Sequence, residues 1–283
     1  MDYIVLDLEW NQPYSKVKKH SHGVEICGEI IQFGAIRLNN RLNIVDSFKV
    51  DVKPRFYKKI NRHVSAITGL TEKTLDGCPD FKTAYEAFCE FCGDDYCILT
   101  WGSDDVPILI DNLRAYGMKA QMPLWLNLQI PFNAQVSHEY RQCSLKEAME
   151  MMDIEQNLTE HDAFCDACNT AKLLARLDFS GDIERYRGLE FMTGRKIDLP
   201  DTYGYKTLRD ALSDKAHMNT PCPVCNKQMQ ILSRKVFPSS RIIEAKCKKH
   251  GSFRYRITAS KHDDTFTAHR KMGIVKEEPV AVN

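Results

Sequence analysis

Nothing in this 283-residue sequence approaches the roughly 20 consecutive apolar residues that a membrane-spanning helix requires. No internal repeat is visible, and the first residues, MDYIVLDLEW, lack both the basic start and the small-residue cleavage site of a secretory leader. The eleven cysteines, an odd number, do not divide into the pairs of a disulfide framework. Together these absences lead to the expectation of a soluble, cytoplasmic protein with reduced thiols and no membrane partner. Net charge is also nearly missing, at +1. What is present is ordinary globular material, 43% hydrophobic and 27% charged. The length suits one large domain with a small one beside it.

The small net charge conceals an asymmetry. Residues 201–283 hold 16 Lys/Arg against 8 Asp/Glu, whereas the first 200 hold 23 against 30. An acidic body with a basic appendage fits a metal-rich catalytic domain followed by a polyanion-gripping tail.

Within the acidic body, Tyr3–Trp10 (YIVLDLEW) starts as the apolar, β-branched run of a buried strand and ends with two carboxylates, Asp7 and Glu9. On a strand, residues two apart share a face. Two acids side by side at a buried strand end repel each other unless a cation or strong donors compensate, and paired hard oxygens are what Mg²⁺ or Mn²⁺ prefers. Two solvated acids at a strand end are the plainer alternative.

Residues 11–23 read as a polar, basic loop carrying Lys16, Lys18 and Lys19. Strands follow at Glu29–Leu38 and Leu42–Val52, joined by a hairpin turn through Asn39, Asn40 and Arg41. Short helical pieces surround ITGLT, with a break at Gly69 and a cap at Thr71. Apolar spacing then predicts a helix over 80–92 capped by Asp80, a strand over 96–101 and a helix over 104–116. A strand over 124–130, a helix over 144–152 opened by the capping-box sequence SLKE, and a long helix over 162–177 complete the series. Antiparallel strands followed by alternating strands and helices imply an α/β fold with a mixed sheet. The expected organisation is a domain at 1–180, a connector at 181–213, a compact basic unit at 214–270 and a frayed end at 271–283.

Two more stretches carry acids. WGSDD (101–105) puts Asp104 or Asp105 where a helix begins, a position that favours carboxylates for capping alone. HDAFCDA (161–167) places His161 five residues before Asp166, so a loop histidine can overhang the pocket that Asp166 reaches from within the helix.

DLEW, WGSDD and HDAFCDA, in this order, resemble the three motifs of the DEDDh, or DnaQ-like, 3′–5′ exonucleases of the ribonuclease H-like superfamily. EIIQFGA (29–35) resembles the strand that follows the first motif, and ITGLT (67–71) the loop near the substrate's 3′ end. The resemblance covers residues 1–178 and is nearest to the exoribonucleases that trim RNA 3′ ends. It implies a ribonuclease H-like five-stranded mixed sheet flanked by helices, and a catalytic set of Asp7, Glu9, Asp105, Asp166 and His161. The second-motif match falls on Asp105, with Asp104 beside it. By the same resemblance Asp7 bridges two Mg²⁺ or Mn²⁺ ions, Glu9 and Asp166 hold the water-activating ion, and Asp105 supports the other. His161 would then take the proton from the attacking water, since the ordinary histidine pKa of about 6.5 suits that task. Nucleoside 5′-monophosphates would leave one at a time from a single-stranded 3′ end. Leu8 and Trp10, with Gly69 and Leu70, are the substrate-binding candidates. Core packing is the competing role for Leu8 and for Phe33.

In the basic tail, PCPVCNKQM supplies Cys222 and Cys225, and AKCKKHGSF supplies Cys247 and His250. CxxC, a gap of 21 residues and CxxH form the pattern of a zinc ribbon with structural Zn²⁺, against an alternative of free thiols. Cys89 with Cys92, and Cys165 with Cys168, lie on helices without a second pair and are expected to fill core. Basic residues interleaved with Phe253 and Tyr255 make the tail either an RNA-gripping surface or a solvated basic face. Three functions result: a metal-dependent exonuclease with RNA favoured, a DNA exonuclease, or a nucleic-acid-binding adaptor without turnover.

Overall fold

The structure, a computed structural model, describes residues 1–14, 18–139, 141–155, 161–179, 186 and 196–275. Lys16, residues 181–185 and 187–195 of the expected connector and residues 276–283 of the expected frayed end lie outside the described residues. The chain divides into two compact units, one comprising Met1–Phe132 with Cys143–Gly181 and the other Asn133–Gln142 with Asp182–Asn283.

The first unit opens with β1 (Asp2–Asn11), the ribbon pair β2 (Lys19–Ser21) and β3 (Val24–Ile26), β4 (Glu29–Leu38) and β5 (Ile44–Asp51). Further along come α1 (Arg62–Thr68), α2 (Glu72–Leu75), α3 (Phe81–Cys92), β6 (Tyr96–Thr100), α4 (Asp105–Ala115), β7 (Trp125–Asn127), α5 (Gln129–Phe132), α6 (Leu145–Met151) and α7 (Ala163–Leu174). The main sheet has the order β5-β4-β1-β6-β7. β1 pairs antiparallel with β4 and parallel with β6, so the sheet is the expected mixed, five-stranded one. Caps fall where the sequence puts them: Asp80 accepts from the Thr83 N–H, Thr71 and Thr74 form a capping box, and Ser144 accepts from the Glu147 N–H.

Two expectations needed revision. The segment 11–23, read as an irregular loop, contains β2, which pairs with β3 just beyond it in a hairpin tied down by Tyr57, whose hydroxyl accepts from the Lys19 N–H and donates to the Ile26 carbonyl. The strand expected over 124–130 ends at Asn127, because the Asn127 side chain accepts from the Gln129 N–H and the chain then turns into α5.

Alternation along β1 separates core from site. Ile4, Leu6 and Leu8 pack with Phe33 and Ala35 against Phe81 and Phe88 of α3 and Val106, Leu109 and Leu113 of α4. Asp7 and Glu9 point to the opposite face, where α7 packs on β1 and β4. Opposite Asp7 in the antiparallel ladder stands Gly34, and a Cβ there would overlap the backbone of Ala163 and Phe164 at the start of α7. The missing side chain is what lets the helix bearing Asp166 sit on the sheet. Cys92 fills core as expected, and Cys89 is half-buried beside Tyr85.

The second unit holds β8 (Ile197–Tyr205), α8 (Leu208–Ser213), α9 (Lys215–Met218), β9 (Gln230–Phe237), β10 (Ser240–Cys247), β11 (Gly251–His262) and β12 (Thr265–Ile274). Its antiparallel sheet runs β8-β12-β11-β10-β9. The unit is therefore larger than the expected 214–270: part of the presumed connector forms edge strand β8, and β12 continues to Ile274. Ile243, Ala245, Phe253, Tyr255, Ile257 and Met272 make a core with Leu212 and Cys222.

Gly34→Ala should destabilise the fold by about 1–3 kcal/mol or more, since it forces backbone apart. A thermal melt would show this as a clear drop in Tm. An unchanged Tm would mean that α7 is not seated as described.

Candidate active site and a cysteine–histidine cluster

Three elements bring acids to one end of β1. Asp7 and Glu9 come from the strand, Asp105 is the first residue of α4, and Asp166 lies in the first turn of α7. Asp105 is 6% exposed and its Oδ1 accepts the Leu8 N–H at 3.1 Å, which stitches the α4 N-terminus to β1 between the two strand acids. Asp104 is the helix N-cap, and the structure thereby assigns the buried position to Asp105. Asp166 Oδ2 accepts the His161 N–H at 3.1 Å. His161 is exposed, in a left-handed turn with φ of 60°, immediately before the α7 N-cap Asp162. Glu9, His161 and Asp166 each place a possible ligand atom within 4.8 Å of the other two.

The electrostatics of the cluster are those of uncompensated negative charge. Asp7 retains a partly exposed edge but is densely surrounded, and burial followed by Asp105, Asp166 and Glu9 pushes its pKa well above the carboxylate range. Burial, Asp166 and Asp105 raise Glu9 to about 8. Asp105 rises to about 7 through burial, although the Leu8 N–H and its own backbone N–H oppose the shift. The charged groups that act most on Asp7 and Glu9 are all acids. This oxygen donor set, short of positive charge, fits a hard divalent cation.

Sequence reading missed the residues that seat α7. Gln32, 2% exposed, accepts the Ala163 N–H through Oε1 at 2.7 Å and donates from Nε2 to Asp51 at 2.7 Å. A lone amide in the apolar run EIIQFGA was the available signal. Asp162 caps Cys165 and pairs with Lys49 of β5. Burial pushes the Asp162 carboxyl up, but the Lys49 ammonium and the Cys165 N–H prevail and hold it below its ordinary value.

Of the substrate-binding candidates, Trp10 keeps a half-buried ring, packed against the same core cluster as Leu8. It lies over Gly28, whose Cβ would come 2.5 Å from the indole. Leu8 is 2% exposed and belongs to the core with Phe33, so its side chain has no face left for a base. Leu70 packs with Ile31, Ile60, Val64 and Leu75. Gly69 is the left-handed C-cap of α1, its N–H donating to the Ser65 carbonyl.

In the second unit Cys222, Cys225, Cys247 and His250 converge. Cys222 Sγ and Cys247 Sγ each lie 3.5 Å from His250 Nδ1, and Cys225 Sγ lies 3.8 Å from Cys247 Sγ. Burial opposes ionisation of Cys247, but the N–H groups of Lys249 and His250 point at its sulfur and lower the thiol to about 6.

Residues 4–174 match the exonuclease family model RNase_T, and the chain belongs to that family. Among its relatives, rat (Rattus norvegicus) 3′-5′ exoribonuclease 1 is 24% identical over 165 residues, 54% of this chain and 48% of the relative. The DNA polymerase III subunit epsilon of Aquifex aeolicus is 28% identical over 167 residues, 57% of this chain and 80% of the relative. The chain thus spans about half the length of the rat enzyme. In structure it is similar to the nuclease domain of 3′hExo, a DEDDh family member, bound to rAMP. The TM-score is 0.54 at 21% identity, with coverage of 62% of this chain and 90% of that one. It is also similar to E. coli exonuclease I in complex with a dA16 oligonucleotide. There the TM-score is 0.52 at 14% identity, with coverage of 91% and 54%. At these identities the structures speak to the shared fold.

The raised Glu9 pKa has a definite sign. The folded chain holds that proton more tightly than the unfolded chain, so the stabilisation is complete below the ordinary glutamate pKa and is lost as pH rises through about 8. Without added divalent cations, Glu9→Gln should raise Tm at pH 9, at about 2–4 °C per kcal/mol, and change it little at pH 4. Equal effects at both pH values would show that Glu9 is not ionising against its neighbours.

Proposed function

We propose that the chain is a DEDDh-type 3′–5′ exonuclease, with RNA favoured, that releases nucleoside 5′-monophosphates from single-stranded 3′ ends. The observation that carries this reading is the gathering of Asp7, Glu9, Asp105 and Asp166 at the end of β1 with His161 at the rim. Those four carboxylates would hold two Mg²⁺ or Mn²⁺ ions, whose chemistry is to activate water and to neutralise charge on the leaving 3′ oxygen. The residues divide the remaining work. The hydrogen bond from the His161 N–H to Asp166 ties the histidine's backbone to the acid cluster, and its exposed imidazole is free to take a proton from water. Trp10, half-buried at the edge of the core, is the remaining aromatic candidate to meet a terminal base. The exoribonuclease relative supports RNA, while the polymerase III epsilon relative supports the alternative of DNA.

Asp7→Asn and Asp166→Asn should reduce nucleotide release to background, and His161→Ala should slow it by about 10²–10⁴-fold. Incubating purified protein with 5′-end-labelled single-stranded RNA and DNA, with Mg²⁺ or with EDTA, reads polarity and sugar preference from the product ladder. Full release by either Asp variant would refute the assigned site, and binding without any ladder would favour the adaptor.

Cys222, Cys225, Cys247 and His250 are assigned to a structural Zn²⁺. Tetrahedral bonds of about 2.3 Å to sulfur and 2.0–2.1 Å to nitrogen set donor separations close to the 3.5 and 3.8 Å observed. None of the eleven cysteines is in a disulfide, and a cytoplasmic location, where thiols stay reduced, is part of the same reading. Purified protein should contain a single tightly bound zinc, and Cys247→Ser should lose it along with the cooperative melting of the second unit. Zinc-free protein with unchanged melting would reject the assignment.

A further inference from the structure

The second unit contains a surface that the catalytic reading does not use. Ile243 and Ala245 of β10, Phe253, Tyr255 and Ile257 of β11, and Met272 of β12 all face its core. The residues between them face the other way. Strand register lines up Lys235 with Ile242, Ile242 with Arg256, and Arg256 with Lys271, a row that crosses four strands. Three strand spacings make this row about 14 Å long. Lys235, Arg256 and Lys271 are all exposed.

Charge on this face is unbalanced. Glu244 is engaged by Arg254, 2.6 Å from its Nη2, and Asp198 stands opposite Lys271 in the ladder. Lys246 adds a further exposed cation on the same side of β10. Arg256 and Lys271 lie directly across the ladder from one another, and like charges so placed destabilise a sheet. A bound polyanion would convert that cost into attraction. At the sheet edge Phe237 lies two residues from Lys235 on the same side and is 42% exposed. An exposed ring beside a basic track is the combination that holds unpaired bases, which stack on the ring while the phosphates follow the cations.

Resting on the reading of the chain as a nuclease, we infer that the outward face of the second sheet binds single-stranded nucleic acid through Lys235, Arg256, Lys271 and Phe237. It takes the strand by its backbone and by stacking, and so without regard to base sequence.

The test uses the full chain carrying Asp7→Asn, so that the ligand survives, and fluorescence anisotropy with labelled 24-nucleotide RNA and DNA strands over a range of salt. Lys235→Glu, Arg256→Glu and Lys271→Glu together should weaken binding by at least tenfold. They should also make the plot of log affinity against log salt shallower by about 2, given about 0.7 per lost phosphate contact on a single strand. The triple Gln variant, which removes charge without reversing it, should flatten the slope by the same amount. Phe237→Ala should weaken binding about fivefold or more while leaving the slope alone. With Asp7 restored, the triple Gln variant should hydrolyse a dinucleotide at the parental rate. Unchanged affinity and slope on both RNA and DNA in variants that retain zinc and the parental Tm would overturn the proposal. A response on only one sugar would support it and identify the natural ligand. A parent that binds through this face yet releases no nucleotide would support the proposal while removing the exonuclease reading.

Discussion

The carboxylates at the end of β1 are close enough to oppose each other's ionisation, and the rest of the first unit has to hold them in place. Two unit charges 4 Å apart interact by about 4 kcal/mol at an effective dielectric constant of 20. No side chain of opposite sign is prominent among the groups acting on Asp7 and Glu9. The framework that resists this repulsion comes from neutral sources: the core of aromatic and aliphatic side chains behind β1, the Leu8 N–H on Asp105 and the His161 N–H on Asp166. Backbone donors can steady a carboxylate without cancelling its charge, which leaves the cluster in want of a dication.

A second buried acid in the same sheet shows that the chain can satisfy a carboxylate without a metal. Glu29 is fully buried at the start of β4, and its oxygens accept the N–H groups of Arg55, Phe56 and Tyr57 and the hydroxyl of Tyr116. It ties the segment after β5 to the sheet and needs nothing further. Asn112 does similar work, joining α4 to Gly28 and Ile30. Donors surround Glu29, whereas acids surround Asp7 and Glu9. Burial is common to both sites, so it is the company that distinguishes an anchoring carboxylate from a ligand.

Much of this was legible in the sequence because the signals were local. The alternation of YIVLDLEW placed Asp7 and Glu9 on one face, the capping residues fixed where α2, α3 and α6 begin, and motif order put Asp105 and Asp166 at helix starts. The features that escaped depend on contacts distant in sequence. Gln32 reaches Ala163 across 131 positions, and Lys49 meets Asp162 across 113. Neither spacing leaves a pattern in the chain. The β2–β3 ribbon escaped for the same reason, since Tyr57 pins it from 38 positions away. Leu8 misled in the other direction. Its place between two acids suggested a role toward substrate, but strand alternation had already assigned it to the core.

The second unit extends the same contrast between local and distant information. CxxC and CxxH are local, and the structure brings their four donors together. The limits of the unit were not local: its sheet is completed by β8, a strand from a stretch with little apolar periodicity, held at the edge by β12. A five-stranded sheet with one buried face has only a thin core, so a metal at one end would contribute where side-chain packing is sparse. On the outward face Lys235, Arg256 and Lys271 are exposed, and Arg256 and Lys271 stand opposite one another across the ladder. Selection for stability alone gives no reason to align them, whereas a polyanion drawn across the sheet does.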